Sequence, residues 1–232
     1  MISHHSPSLA QVGRAAHEVK FRLTPEQALA ATAWAAEKMV ADPHGHPQYE
    51  TTTLYLDTPD LKTFRREPGF RQTKYRIRRY GAEEMLYLER KTKQGTRVQK
   101  VRESLALANL ECLTDPCETE LAFAHAVRAK GLVPQMLGRY ERRAFSGISS
   151  SGSTRLTLDR NIQVAASTSY SFEAPAQWEA LPELVMELKF VDGLPAQFRV
   201  LLAELGLNQT TFSKFRQGLR ALRAEDQNAT VA

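Results

Sequence analysis

The sequence has few of the features that usually give a function away. It holds two cysteines in 232 residues, Cys112 and Cys117. One pair is no disulfide framework in a chain of this size and suits a reducing compartment, so a cytoplasmic setting is expected. A zinc site from Cys112, Cys117 and His125 would match none of the usual ligand spacings. No apolar run approaches the roughly 20 residues that span a bilayer. Met1 to Gly13 carries His4, His5, Ser6 and Pro7 in place of an apolar leader core. The glycines are scattered, and neither a Walker-A loop nor a dinucleotide fingerprint occurs, which excludes the common Gly-rich phosphate turns. No fixed-period repeat points to a solenoid. No Ser/His/Asp arrangement stands out. His17 and His125 lack identifiable partners, and His44 and His46 read as surface residues of a loop from Asp42 to Pro47.

What the chain does have is charge placed at strand period. Hydrophobic residues make up 42% and charged residues 25%, with a formal net charge of +5. That balance supports a packed core and a mild preference for anionic partners. In Lys74-Tyr75-Arg76-Ile77-Arg78-Arg79-Tyr80, alternation puts Lys74, Arg76 and Arg78 on one face and Tyr75 and Ile77 on the other. Gly81 to Glu84 fits a hairpin turn. The next strand sets Glu89, Lys91 and Lys93 opposite Leu86 and Leu88. The same separation recurs for Glu18 and Lys20 against Val19 and Phe21, and for Lys100 and Arg102 on a strand from Val98 to Leu105. It recurs again for Tyr140, Arg142 and Ala144 against Arg139, Glu141 and Arg143, on a strand resuming at Met136. Arg155, Thr157 and Asp159 lie opposite Leu156 and Leu158. Glu187 and Lys189 lie opposite Met186 and Leu188. Tyr49 to Asp57 reads as a further strand.

Helices are expected between these strands. Thr24-Pro25-Glu26-Gln27 combines an N-cap, a proline at the first helical position and a capping box. It predicts a helix to about Val40, with Leu29, Ala33 and Ala36 or Met39 buried. Thr58-Pro59-Asp60 opens a short helix to about Arg66. Leu107 to Lys130 is expected to be helical, stopped by Gly131. Pro195 to Leu205 and Lys214 to about Arg223, the latter capped by Ser213, complete the set. Ser146 to Ser153 and Ala165 to Pro182 read as irregular. Residues 1–16 and 224–232 read as tails around one domain, 17–223.

Eight or so strands with one charged and one apolar face fit two architectures. One is a half-exposed sheet with its charges in water. The other is a closed α+β barrel with helices packed outside and the charged faces lining a lumen. Confining so many cations is unfavourable unless an anion fills the space. A triphosphate would meet that need, because arginines grip phosphate in bidentate fashion and lysines add point charges. Carboxylates among bound phosphates imply a bridging divalent cation, Mn²⁺ or Mg²⁺.

The chain resembles the VTC (polyphosphate polymerase) domain, a branch of the triphosphate tunnel metalloenzymes with the CYTH-like fold. The resemblance rests on Glu18-Val19-Lys20-Phe21, Leu54-Tyr55-Leu56-Asp57-Thr58, Lys74 to Tyr80, Leu88-Glu89-Arg90-Lys91, Lys100-Val101-Arg102, Tyr140-Glu141-Arg142, Arg155 to Asp159, Met186-Glu187-Leu188-Lys189 and Phe212-Ser213-Lys214-Phe215, in that order. It implies a closed antiparallel barrel acting on ATP, triphosphate, pyrophosphate or polyphosphate. It places phosphate-binding cations at Lys20, Arg76, Arg78, Lys91, Lys100, Arg142, Arg155 and Lys214, with Tyr140 and Ser213 as further contacts. Lys189 shares the face of Glu187 and joins them. Glu187 falls on the metal-binding position, with Glu18 and Glu89 as acidic partners. Arg76, Arg78, Lys91, Arg155 and Glu187 are the candidate catalytic set. The family often has a lysine where Thr211 stands. The implied reaction is polyphosphate synthesis from ATP with release of ADP. The alternatives are an inorganic or nucleoside triphosphatase and a non-catalytic polyphosphate or nucleotide sensor. RNA binding is not expected, because the aromatics lie mostly on the apolar faces.

Overall fold

The period-two segments become strands, and the faces that carry Lys20, Arg76, Glu89, Arg102, Arg142, Asp159 and Glu187 turn inward. The computed structural model describes residues 10–42, 48–113, 121–150 and 152–229. His44, His46 and Cys117 lie outside them, as does most of the expected loop from Asp42. Eleven strands are present: β1 (Gln11–Val12), β2 (Ala16–Leu23), β3 (Val40–Ala41), β4 (Tyr49–Asp57), β5 (Thr73–Tyr80), β6 (Met85–Gln94), β7 (Arg97–Ala106), β8 (Val133–Ser149), β9 (Gly152–Ala166), β10 (Glu179–Leu181) and β11 (Leu184–Phe190). Eight of them form a ring in the order β2, β7, β6, β5, β4, β8, β9, β11. Every pairing is antiparallel, and β11 returns to β2 through Glu187 opposite Lys20. The β2–β7 seam is short, with Ala16 opposite Val98 and His17 opposite Arg97. Gln11–Val12, within the stretch expected as a tail, pairs with β7.

Burial follows the alternation. Leu54, Leu56, Ile77, Leu86 and Leu88 face outward from one side of the ring. A 3-10 helix (Leu107–Leu113) and α3 (Ala122–Ala129) cover them through Leu110, Phe123 and Val127. On the opposite side α1 (Pro25–Lys38) and α4 (Ala196–Glu204) cover Phe21, Leu156, Met186 and Leu188. Each such side chain taken from water stabilises the fold by about 1.5–3 kcal/mol. The short α2 (Lys62–Arg65) follows β4. Its entry is fixed by Asp57, a fully buried carboxylate that accepts from the backbone amides of Thr58, Thr63 and Phe64.

The last helix, α5 (Lys214–Ala229), has a different role. Its Phe215 and Leu219 pack with Phe212 against Tyr55, Met136, Tyr140, Val164 and Val185. Tyr55 sits directly opposite Arg76, and Val185 is two residues from Glu187. These apolar partners therefore belong to the charged faces, and α5 closes one end of the lumen.

The capping box at Thr24 forms as expected: Gln27 N donates to Thr24 Oγ1 at 3.2 Å and Thr24 N to Gln27 Oε1 at 2.9 Å. The face of α1 differs. Met39 is buried as expected, but Ala31 and Ala35 are buried in place of Ala33 and Ala36, and Leu29 is 73% exposed. An alanine-rich helix has little apolar asymmetry to reveal its inner face, and the small side chains let it lie close to the barrel. The long hairpin also differs. β8 begins at Val133 and stays paired with β9 as far as Ser149 opposite Gly152, through most of the Gly/Ser stretch expected as a loop. β10 forms within the region expected to be irregular, and α5 runs six residues past Arg223. Within Leu107 to Lys130 the described residues are helical as expected, forming the 3-10 helix and α3, and residues 114–120 lie outside them.

Gly218 tests the seating of α5. A Cβ there would stand 2.5 Å from Met136 Sδ and 2.8 Å from Val164 Cγ1. Gly218→Ala is expected to lower stability by about 1–3 kcal/mol through overpacking, read from the urea midpoint. The gain of up to about 1 kcal/mol that alanine gives an exposed helix would contradict this placement.

Candidate functional site

Cross-strand register brings the inward charges together around three acidic centres. The first is Glu89, whose side chain is fully buried. Its Oε2 takes Arg76 Nη2 at 2.6 Å and lies 3.7 Å from Arg78 Nη1, while its Oε1 takes Arg102 Nη2 at 2.6 Å and lies 3.3 Å from Lys100 Nζ. Burial alone would raise the Glu89 pKa; Arg76, Arg78, Lys100 and Arg102 instead hold it well below the usual carboxylate range. Tyr80 closes this end. Burial favours its phenol, but Arg78 and Arg102 pull its pKa down to about 8.

The second centre is a carboxylate pair. Glu18 lies within hydrogen-bonding reach of Glu187. Lys20 Nζ is 3.3 Å from Glu187 Oε2 and 3.8 Å from Glu18 Oε1, Lys91 Nζ is 2.5 Å from Glu18 Oε1, and Lys189 Nζ is 3.9 Å from Glu18 Oε2. Burial opposes the charge on Glu187, but Lys20 and Lys91 hold its pKa well below normal. Burial likewise opposes the charge on Lys20, and Glu187 and Glu18 reverse the balance, so its pKa is raised. For Lys91 burial wins over Glu18 and Glu187, and the pKa falls to about 8. Lys100 is also lowered by burial to about 8, despite Glu89.

The third centre is Asp159. It receives both Nε and Nη2 of Arg142, at 2.6 and 2.7 Å, and Lys214 Nζ at 2.5 Å. Burial would raise its pKa, but Arg142 and Lys214 bring it to about 2. The Tyr140 ring lies beneath both cations, 4.3 Å from Lys214 Nζ and 5.2 Å from the Arg142 guanidinium. Arg155 stands apart, bonded to Asp42 and, at 3.2 Å, to the Tyr49 hydroxyl. Lys74 Nζ donates to Ser213 Oγ at 2.8 Å and has no carboxylate partner among the described residues.

All the residues anticipated from sequence therefore face one lumen, but not as one cluster. Glu89 has different partners from Glu18 and Glu187. Its oxygens are held by guanidinium and ammonium groups, and among the described residues no set of three His, Cys, Asp or Glu is placed to hold a metal ion. Glu18 and Glu187 do fit one. Glu18 Oε2 is buried without a hydrogen-bond partner beside a second carboxylate, and Mg²⁺ is commonly held by one or two carboxylates together with substrate phosphates. Lys74, Arg102, Asp159, Asp42, Tyr49 and Tyr80 also line the site. Strand parity had already put Lys74, Arg102 and Asp159 on the inner face, but it does not rank residues within a face. Two surface depressions, one bounded by Ser149, Leu194 and Pro195 and one by Phe21, Phe190 and Leu202, contain none of these lumen charges.

With this geometry in view, the comparisons are decisive about family. The VTC domain matches residues 15–223. The chain belongs to the VTC domain family. No protein of curated function matches the chain by sequence. Among solved structures, the VTC chain is similar to a putative adenylyl cyclase from Hippeastrum described as having a dominant triphosphatase activity, at 16% identity and a TM-score of 0.54, covering 89% of this chain and 96% of that one. It is also similar to a protein from Pyrococcus horikoshii OT3 (13% identity, TM-score 0.51, covering 88% and 98%) and to a putative adenylate cyclase from Vibrio parahaemolyticus (13%, 0.50, 90% and 99%). These likenesses show a shared tunnel fold.

Glu89 is the member of this site whose loss should be felt most in the absence of an anion. Glu89→Gln leaves four cations around a neutral group and is expected to cost about 3–5 kcal/mol, read by denaturant unfolding. Added tripolyphosphate should recover much of that loss. A variant as stable as the parent would show that Glu89 does not hold the lumen together.

Proposed function

We propose that this VTC domain catalyses divalent-metal-dependent phosphoryl transfer on triphosphates inside the barrel, and that it builds polyphosphate from ATP with release of ADP. The observation that carries this reading is the lumen itself, a closed ring of arginines and lysines balanced only by its own carboxylates. Arg76, Arg78, Arg142, Arg155, Lys20, Lys91, Lys100, Lys189 and Lys214 would bind phosphate oxygens. Tyr140 and Ser213 add contacts beside them. Phosphoryl transfer needs chiefly orientation and neutralisation of spread charge, which fixed cations provide.

In the reaction, an oxygen of the acceptor's terminal phosphate attacks the ATP γ-phosphorus. The bond to the β-bridging oxygen breaks, and ADP leaves with that electron pair. Arg76, Arg78 and Arg155, with Lys91, would hold the transferring group and stabilise its developing charge. Glu187 and Glu18 would hold the metal, Mn²⁺ or Mg²⁺, which supplies Lewis-acid neutralisation of phosphate oxygens. Glu89 is better suited to holding its four cations in place than to ligating a metal. Water as acceptor would make the same lumen a triphosphatase, the activity described for the Hippeastrum protein. No helix of the described chain is long and apolar enough to cross a membrane.

The purified protein, incubated with ATP, Mn²⁺ and a pyrophosphate primer, should yield ADP and a ladder of long chains on a gel. Phosphate without chains would replace the polymerase reading with a triphosphatase. Glu187→Gln should abolish turnover while part of the ATP binding survives, measured by product formation and calorimetry. Unchanged turnover would remove Glu187 from the mechanism.

A further inference from the structure

Two buried side-chain oxygens without a hydrogen-bond partner among the described residues, Glu18 Oε2 and Thr157 Oγ1, stand on the strands either side of Glu187. β11 runs between β9 and β2 in the ring. Its Glu187 is directly opposite Thr157 of β9 on one side and Lys20 of β2 on the other. Glu18 precedes Lys20 by two residues on the same face of β2, and its carboxylate lies within hydrogen-bonding reach of Glu187. Three neighbouring strands therefore bring an oxygen-bearing side chain to one stretch of the lumen wall.

Thr157 lies between Arg155 and Asp159 on the inner face of β9 and is buried. Side chains directly opposite across an antiparallel pair have Cβ atoms about 4.5–5.5 Å apart, so Thr157 and Glu187 are neighbours. A buried hydroxyl that bonds to nothing is costly, and valine would fill the same space without that cost. The lysines nearby use other oxygens. Lys20 approaches Glu187 Oε2 at 3.3 Å, and Lys91 approaches Glu18 Oε1 at 2.5 Å. Hard divalent cations take oxygen from carboxylates, hydroxyls and phosphates alike. Among the described residues no three His, Cys, Asp or Glu are grouped to hold such an ion, and the Thr157 hydroxyl supplies the third donor.

We propose that Thr157 is a further ligand of the divalent cation, completing with Glu187 and Glu18 a three-oxygen set on the lumen wall. This rests on the metal-dependent reading of the lumen and adds a residue to it. Thr154 provides the contrast. Its Oγ1 is also buried without a partner, but it lies on the outer face of β9, opposite Phe190 and on the side of Gly147 and Met39.

The test is Mn²⁺ binding to the whole chain with tripolyphosphate bound, read from the paramagnetic signal of the free ion. Thr157→Val should weaken it by about tenfold, and Thr157→Ser, which keeps the hydroxyl, should bind as the parent does. Thr154→Val should change nothing. Without metal, Thr157→Val should be at least as stable as the parent in urea, because an unbonded hydroxyl is gone, and should hold tripolyphosphate as tightly by calorimetry. Unchanged Mn²⁺ affinity in Thr157→Val, or an equal loss in Thr154→Val, would overturn the proposal. Lower metal-free stability would show that the hydroxyl bonds within the protein, and lower metal-free tripolyphosphate affinity would make it a phosphate contact; either result overturns it as well. A parent that binds Mn²⁺ no better than Glu187→Gln would end the metal reading itself. If Glu187→Gln loses the ion and Thr157→Val does not, only Thr157 is excluded as a ligand.

Discussion

Cations crowded into a closed ring must be neutralised, and that requirement organises the interior of this barrel. Glu89 meets it for Arg76, Arg78, Lys100 and Arg102, Asp159 for Arg142 and Lys214, and Glu18 with Glu187 for Lys20, Lys91 and Lys189. Glu89, Asp159 and Glu187 each work against their own burial, and each survives as an anion because the surrounding positive charge outweighs the desolvation penalty. The same arrangement explains how the site can accept a highly charged substrate. Phosphate oxygens can take the places the carboxylate oxygens hold on the guanidinium groups, so the cations exchange one anionic partner for another. Their geometry is fixed in advance by the strands, and little reorganisation is needed.

The three acidic centres divide the work differently. Glu89 has no spare coordination, and its role is to keep four cations at fixed positions. Asp159 ties the wall at Arg142 to the plug at Lys214, and so couples α5 to the barrel through charge as well as through Phe215 and Leu219. Among the four carboxylates of these centres, Glu18 keeps a buried oxygen with no hydrogen-bond partner among the described residues.

Much of this was legible before any coordinates. Alternation alone assigned the inner face of nearly every strand, because a one-residue error would have put Ile77 or Leu88 into the lumen and Arg76 or Glu89 into the apolar shell. Ring closure followed from the family resemblance and not from the strands themselves. Alternation cannot tell a half-wet sheet from a barrel, and the closing β2–β7 contact involves only Ala16 and His17. Most of the inner face of α1 was not legible, because its alanines carry little directional information. Choosing site residues within the inner face required the family resemblance, which passed over Lys74 and Arg102 although their parity was plain. The separation of Glu89 from the other glutamates depends on which strands are neighbours, and a single strand does not encode that.

The most direct test is a crystal structure of the protein with tripolyphosphate and Mn²⁺. The account requires the phosphates to lie inside the ring on Arg76, Arg78, Arg142 and Lys91, with the metal on Glu187 and Glu18 and Glu89 still bonded to its arginines. Tripolyphosphate bound only to the outer surface, with the lumen ion pairs intact, would contradict it.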